Sequence, residues 1–328
     1  MDSQEPTRNL ALELVRVTEA AALGAGRWVG RGNKEAADQA AVDAMRLVLN
    51  SIEMDGVVVI GEGEKDRAPM LFNGERLGTG DSPSVDIAVD PIDGTRPLAL
   101  GIWNSIATVA LAPRGTMFNP GHLVYMHKLA VGPQARGAID IEASPTENLR
   151  RVASAKGEEV EDLTVVILDR PRNEALITEV RQAGARVRLI PDGDVAGAVM
   201  TCLPETGIDL LMGIGGTPEA VLAACALRAM GGDMQGKLYP RDEEEARRAR
   251  ADGFDLDRVL MLNDLVASED VFFAATGITS GDLLHGVSYF PNGATTDSLV
   301  MRGLTGTWRR ILATHRLDRL GRISSIPY

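Results

Sequence analysis

Residues 85–101 read VDIAVDPIDGTRPLALG, and the reading of this stretch decides the fold. Val85 to Val89 is an apolar run with the length of a buried strand. It ends in two carboxylates, Asp90 and Asp93, set either side of Pro91 and followed at once by Gly94 and Thr95. Asp-Gly alone is ordinary turn chemistry. A second acid and a proline are more than a turn requires. Pro91 restricts the backbone between the acids, and Gly94 lets the chain pass close to whatever they hold. In α/β folds, ligand sites lie at the carboxyl ends of strands.

The segments on either side repeat this arrangement. GVVVIGEGEKD contains a short apolar strand, Val57 to Ile60, expected to be covered on both faces, with Glu62 and Glu64 just beyond it. Ile106 to Leu111 is a further strand. Residues 163–194 read as strand, helix, strand: Thr164 to Leu168, Asn173 to Ala183, then Arg186 to Ile190, with Asp192 and Asp194 following. A strand from Asp209 to Ile214 leads into a helix from Thr217 to about Met230, with Thr217 as N-cap, Pro218 in the first turn and Gly231 as the stop. Two helices precede the first strand. One carries Leu10, Leu14, Val17 and Ala21 on one face; the other carries Val42, Met45, Leu49 and Ile52, with Asp38 near its start. VFFAATGI and TTDSLVMRG are late strands, and the charged run 239–258 reads as a solvated helix with opposite charges at helical spacing. The alternation implies layered α/β architecture. Boundaries are expected near 132–137 or 153–163, dividing the chain into an α/β unit at 1–155 with most of the acidic ligands and a second at 156–328 with Glu219.

Composition narrows the function. The 328 residues are 45% hydrophobic but only 4% aromatic, and the net charge is -12. An acidic surface argues against nucleic acid or anionic membrane as partner, since both require basic patches. No apolar run approaches the ~20 residues needed to cross a bilayer. Cys202 and Cys225 form no disulfide or zinc pattern, and His122, His127, His285 and His315 are scattered. A cytoplasmic enzyme is expected. Walker A, G-x-S-x-G and cysteine-nucleophile patterns are absent, and Gly213 to Gly216 is too generic for a nucleotide fingerprint.

The acids that remain call for a counter-ion. Two like charges about 4 Å apart repel by ~4 kcal/mol at an effective dielectric near 20. A cluster of carboxylates therefore takes up protons or binds cations. Oxygen-only ligands suit Mg²⁺ or Mn²⁺, which can polarise a phosphate and lower the pKa of a bound water. Taken singly, most of these acids have ordinary alternatives. Glu219 can offset a helix dipole, Asp38 can be a solvated helix residue, and Asp192-Gly193-Asp194 can be a turn. The Asp90 and Asp93 pair is the one read as functional on its own.

DPIDGT (90–95), preceded by GEGE (61–64), resembles the inositol monophosphatase and fructose bisphosphatase superfamily of metal-dependent, lithium-sensitive sugar phosphatases. The later Trp-Asp-x-Ala-Ala motif of that superfamily is replaced by GIGGTPEAVLAA (213–224). With GRGNKEAADQAAVDAMR (30–46), IGEGEKDRAPML (60–71), YMHKLAVGP (125–133) and IPDGDVAGAVMTC (190–202), the chain is similar, in order and over nearly its whole length, to bacterial class II fructose-1,6-bisphosphatases.

The resemblance implies an αβαβα sandwich with its site in a cleft between two halves, and hydrolysis of D-fructose 1,6-bisphosphate in gluconeogenesis. It implies Asp38, Glu62, Asp90, Asp93 and Glu219 as ligands for two or more Mg²⁺ or Mn²⁺ ions. Asp93, Gly94, Thr95, Tyr125, Arg170, Pro171, Arg172, Asp192, Gly193, Asp194 and Gly216 would bind the sugar phosphate. Asp66 would help activate water, with Lys34 and Thr95 near the reacting phosphate. A homo-oligomer, dimer or tetramer, is also implied. Some members carry Glu in place of Asp93 and Lys in place of Arg170. Arginine keeps the charge but grips phosphate as a fork. Read without the resemblance, Arg170 and Arg172 are a phosphate clamp or a surface pair, and Tyr125 is a core or interface residue. Activity on sedoheptulose bisphosphate or inositol phosphate, and a non-catalytic sugar-phosphate sensor, are the competing functions.

Overall fold

The computed structural model of the chain describes residues 9–61 and 71–323. Its first elements are α1 (Ala11–Gly26), α2 (Lys34–Leu49), β1 (Asp55–Ile60), β2 (Arg76–Leu77), β3 (Ser84–Asp93), the short α3 (Thr95–Leu100), β4 (Ile106–Pro113) and β5 (Tyr125–Val131). Next come α4 (Pro145–Lys156), β6 (Thr164–Leu168), α5 (Glu174–Gln182), β7 (Arg186–Ile190) and the short α6 (Val195–Met200). β8 (Leu210–Gly216) leads into α7 (Thr217–Met230), β9 (Asp233–Tyr239), α8 (Glu243–Ala251), β10 (Leu260–Met261) and α9 (Leu262–Leu265). The last are β11 (Phe272–Gly277), β12 (Ser288–Phe290), β13 (Gly293–Arg302), β14 (Thr307–Arg316) and α10 (Leu317–Ile323).

The strands form two sheets. One is eight-stranded in the order β12-β13-β11-β4-β3-β1-β2, with β14 paired to β13; the other is six-stranded in the order β10-β9-β5-β8-β6-β7. Three apolar clusters show how helices cover them. Leu14 and Val17 of α1 and Val42 and Met45 of α2 pack on Ile87, Val109 and Ala274, one face of the first sheet. Val221, Leu222 and Leu227 of α7 and Val199 of α6 fill the space between Ala88, Ala110 and Phe273 on the other face and Met126, Leu211 and Met234 of the second sheet. Leu149 and Val152 of α4, with Ile177 and Val180 of α5, cover the far face of that sheet through Leu129, Val165 and Leu210. The result is a layered αβαβα sandwich. α7, in the middle layer, is buried along nearly its whole length, from Thr217 to Ala229.

Several local expectations change on contact with the tertiary structure. β1 alternates half-buried and buried residues, so among the described residues one of its faces is only partly covered. Thr217 is the first helical residue and not the N-cap; Gly216 holds that position, and no side chain caps the helix. The sheets also do not follow the chain in two consecutive halves. β5 belongs to the second sheet, 272–316 returns to the first, and residue 155 lies inside α4. Among the described residues no helix is long and apolar enough to cross a membrane.

Candidate active site

The strand expected to stop at Val89 continues through Asp93, and the reason is a bulge. Asp90 pairs with Thr108 and Asp93 with Ile106, so β3 spends two intervening residues where β4 spends one. In a regular strand, positions three apart face opposite sides. The extra residue reverses that parity and turns both carboxylates to one side. Pro91, which has no N–H to donate, falls within the irregular step. Asp90 Oδ1 accepts from the Ile92 amide at 3.0 Å, which fixes its orientation. Gly94 then adopts φ 95°, a left-handed conformation, and its carbonyl accepts from the Ser105 hydroxyl at 2.8 Å.

Two other segments reach this strand end. Glu219, the third residue of α7, brings its carboxylate to those of Asp90 and Asp93, and one oxygen from each lies within 4.8 Å of the others. Among the described residues, Glu219 Oε2 is shut off from solvent without a hydrogen-bond partner, as is Thr217 Oγ1. A Cβ on Gly216 would sit 1.9 Å from that Oε2, so the carboxylate occupies space that only glycine leaves open. From α2, whose start is capped by Asn33, Asp38 Oδ1 accepts from the Thr95 hydroxyl at 3.2 Å. Thr95 Oγ1 also lies 3.2 Å from the Ile92 carbonyl, so it ties α2 to the strand end. Lys34 is exposed at the first position of the same helix, one turn before Asp38.

Electrostatics match the crowding. Asp93, 2% exposed, has its carboxyl held well above the usual range, first by burial and then by Glu219, Asp194 and Asp192, while Lys128 opposes the shift. Burial raises Glu219 as well, against the pull of Lys128. Asp38 is raised by burial and lowered in part by Thr95. Carboxylates this close, one with a desolvated and unpartnered oxygen, fit a hard divalent cation, which would replace protons as the neutralising charge. Glu62 and Asp66 lie outside the described residues.

The remaining expected residues form a second group at the edge of the second sheet. The Arg172 guanidinium lies over the Tyr125 ring, 4.4 Å from its centroid, and its Nε donates to the Ile214 carbonyl at 3.0 Å. Arg170 donates to Asp192 Oδ1 at 3.0 Å. Pro171 starts the short helical turn between the two arginines. Gly193, at φ 71°, passes so close that a Cβ would meet Asp93 Oδ1 at 3.0 Å, and the Val195 amide donates to Asp93 Oδ2 at 3.2 Å. The 192–195 segment therefore joins the Arg170–Arg172 group to the acidic cluster. Asp194 departs from expectation. It is 5% exposed and gives both oxygens to Lys128 at 2.8 and 2.7 Å, instead of presenting a free acceptor to a sugar.

Two residues that sequence reasoning passed over hold this arrangement. Lys128 is 1% exposed. Its signal was a lysine in alternation with Met126 and Ala130, on the inward face of the strand. Asn173 is buried; its Nδ2 donates to the Leu168 and Ile214 carbonyls and its Oδ1 accepts from the Ile214 amide, which clamps the 170–172 turn onto β8. The cysteines take no part: burial pushes both thiols up to about 12. A cavity of about 880 Å³ is bordered by Gly61, Val124 and Pro218.

Comparison with known proteins bears on the same residues. The sequence model of the family described as "Bacterial fructose-1,6-bisphosphatase, glpX-encoded" matches residues 8–315. Fructose-1,6-bisphosphatase 1 class 2 of Escherichia coli (strain K12) is 49% identical, over 95% of this chain and 96% of that one. Fructose-1,6-bisphosphatase class 2 of Shigella flexneri shows the same identity and coverage.

Proposed function

The chain belongs to the bacterial fructose-1,6-bisphosphatase family, and from that premise we propose that it hydrolyses D-fructose 1,6-bisphosphate to D-fructose 6-phosphate and inorganic phosphate. One observation carries the reading: carboxylates from β3 and α7, far apart in the chain, bring one oxygen each within 4.8 Å of the others, and Glu219 Oε2 has no hydrogen-bond partner among the described residues. Asp90, Asp93 and Glu219, joined by Asp38 and Glu62, would hold two or more Mg²⁺ or Mn²⁺ ions. When bound, such ions supply Lewis-acid polarisation of the phosphate and a water of lowered pKa.

The chain's own residues do the rest. Asp93, Gly94 and Thr95 form the turn that meets the reacting phosphate, with the Thr95 hydroxyl held by Asp38. Lys34 lies near that phosphate, and Asp66 helps take the proton from the attacking water. Arg172, held flat on Tyr125 and anchored through Nε, turns its two Nη groups to the distal phosphate. Arg170 and Asp192, paired to each other, border the sugar along with Pro171, Gly193 and Gly216. Asp194 supports this turn from beneath. Binding the unreactive phosphate positions the reactive one. A cytoplasmic location, a role in gluconeogenesis and a homo-oligomer, dimer or tetramer, belong to the same proposal. The exposed Trp308 and Leu312 of edge strand β14 support the oligomer.

The test is phosphate release from fructose 1,6-bisphosphate, with sedoheptulose 1,7-bisphosphate and inositol phosphate as competing substrates. Activity is expected to vanish in chelator, to return with Mg²⁺ or Mn²⁺, and to be highest on the fructose ester. Asp90→Asn should lose at least about 100-fold in turnover while remaining folded. Full activity in excess chelator refutes the metal reading, and a higher catalytic efficiency on another ester refutes the substrate.

A further inference from the structure

Among the described residues, Lys128 is the largest charged side chain that is fully buried, and neither metal nor substrate binding accounts for it. Burying an ammonium costs several kcal/mol unless it is closely paired. The fold makes room for this one deliberately. On β5, Lys128 stands between Gly213 of β8 and Gly236 of β9, its cross-strand neighbours, and neither adds a side chain to compete for space. A Cβ on Gly215 would fall 2.9 Å from Nζ and 2.0 Å from Asp194 Oδ2, so that position too must be bare. The ammonium grips both oxygens of Asp194.

The grip changes what Asp194 and Asp93 can do. Asp194 is the N-cap residue of α6, where an aspartate normally accepts from the helix's own first-turn amides, yet it makes no such bond. Drawn to Lys128, it stays off the helix start, where the Val195 amide donates to Asp93 Oδ2. The ammonium also pulls electrostatically on Asp93 and Glu219.

We propose that Lys128 is the resident cation of the metal pocket: it withdraws Asp194 from the set of carboxylates that can bind divalent ions, and so sets how strongly the pocket holds them. It is a positioning residue, because it touches neither substrate nor metal. The proposal rests on the reading of the cluster as a divalent-cation site, and the experiment separates the two.

Mn²⁺ affinity is measured by calorimetric titration without substrate, in the wild-type chain, in Lys128→Met, in Asp194→Asn and in the double variant, with folding followed by circular dichroism. Lys128→Met leaves an extra carboxylate beside the cluster, so Mn²⁺ should bind at least about tenfold tighter. Asp194→Asn leaves an unpaired ammonium there, so binding should weaken by at least about tenfold. The double variant removes both charges and should return to within about threefold of wild type. If one single variant does not fold, the other compared with the double carries the test alone. Equal affinity in all chains overturns the proposal, as does a double variant as weak as Asp194→Asn, which would make Asp194 itself a ligand. A wild-type chain that binds no Mn²⁺ overturns the metal reading and this proposal with it.

Discussion

Replacing Gly216 with alanine should drive one carboxylate out of the acidic cluster and leave the backbone where it is. The new Cβ would lie 1.9 Å from Glu219 Oε2 and 2.5 Å from its Cδ, whereas ordinary contact begins at 3.4 Å. The carboxylate must therefore retreat by about 1.5 Å, several times the ~0.2 Å tolerance of a metal–ligand distance. Gly216 has φ -69° and ψ 141°, which suit alanine, so the fold should be unchanged or stabilised by up to ~1 kcal/mol through the unfolded chain. Disturbing even the outer support of a metal ligand costs 10- to 100-fold in affinity, and here the proposed ligand itself would move. Mn²⁺ affinity should fall by about 100-fold, roughly 2.7 kcal/mol. Calorimetric titration measures the affinity, thermal melting the fold, and phosphate release against Mn²⁺ concentration the consequence. A folded Gly216→Ala chain with wild-type Mn²⁺ affinity refutes the reasoning, because Glu219 could not then be binding the ion from this position.

Without metal, the raised carboxyls of Asp93 and Glu219 hold protons in the folded chain that the unfolded chain has already released above the ordinary 3.8 and 4.5. Metal-free stability should therefore fall as pH climbs through the window between those values and the raised ones, and saturating Mn²⁺ should remove the slope; melting temperatures across pH, with and without chelator, decide it, and a flat chelated curve contradicts it. Asn173→Ala removes the clamp between the 170–172 turn and β8. It should cost about 1–3 kcal/mol in denaturant unfolding, and it should raise KM for the bisphosphate more than it lowers kcat. An unchanged KM would separate Arg172 from the substrate.

How much of this could be read in the chain depended on how local its cause was. β6 and β7 have the boundaries expected for them, and α7 runs from Thr217 to Met230 and stops at Gly231, φ 79°, because helix ends are written in adjacent residues. The bulge that turns Asp90 and Asp93 to one side was not legible, since it exists only in the pairing of β3 with β4. For the same reason no composition shift announced that 272–316 returns to the first sheet. Asp90 and Asp93 stood out on their own chemistry. Asp38 and Tyr125 did not, because the Thr95 hydroxyl and the Arg172 guanidinium that give them meaning are distant in sequence. Lys128 escaped notice because its partner lies 66 residues on, and a lone lysine in a strand looks like an ordinary surface residue until both ends of the pair are seen.

Crystals grown with Mn²⁺ and measured at a wavelength where manganese scatters anomalously would locate the ions directly. The account predicts an anomalous peak within about 2.0–2.6 Å of carboxylate oxygens from Asp90, Asp93 and Glu219 together. Manganese bound elsewhere, with those three carboxylates turned apart and unliganded, contradicts it.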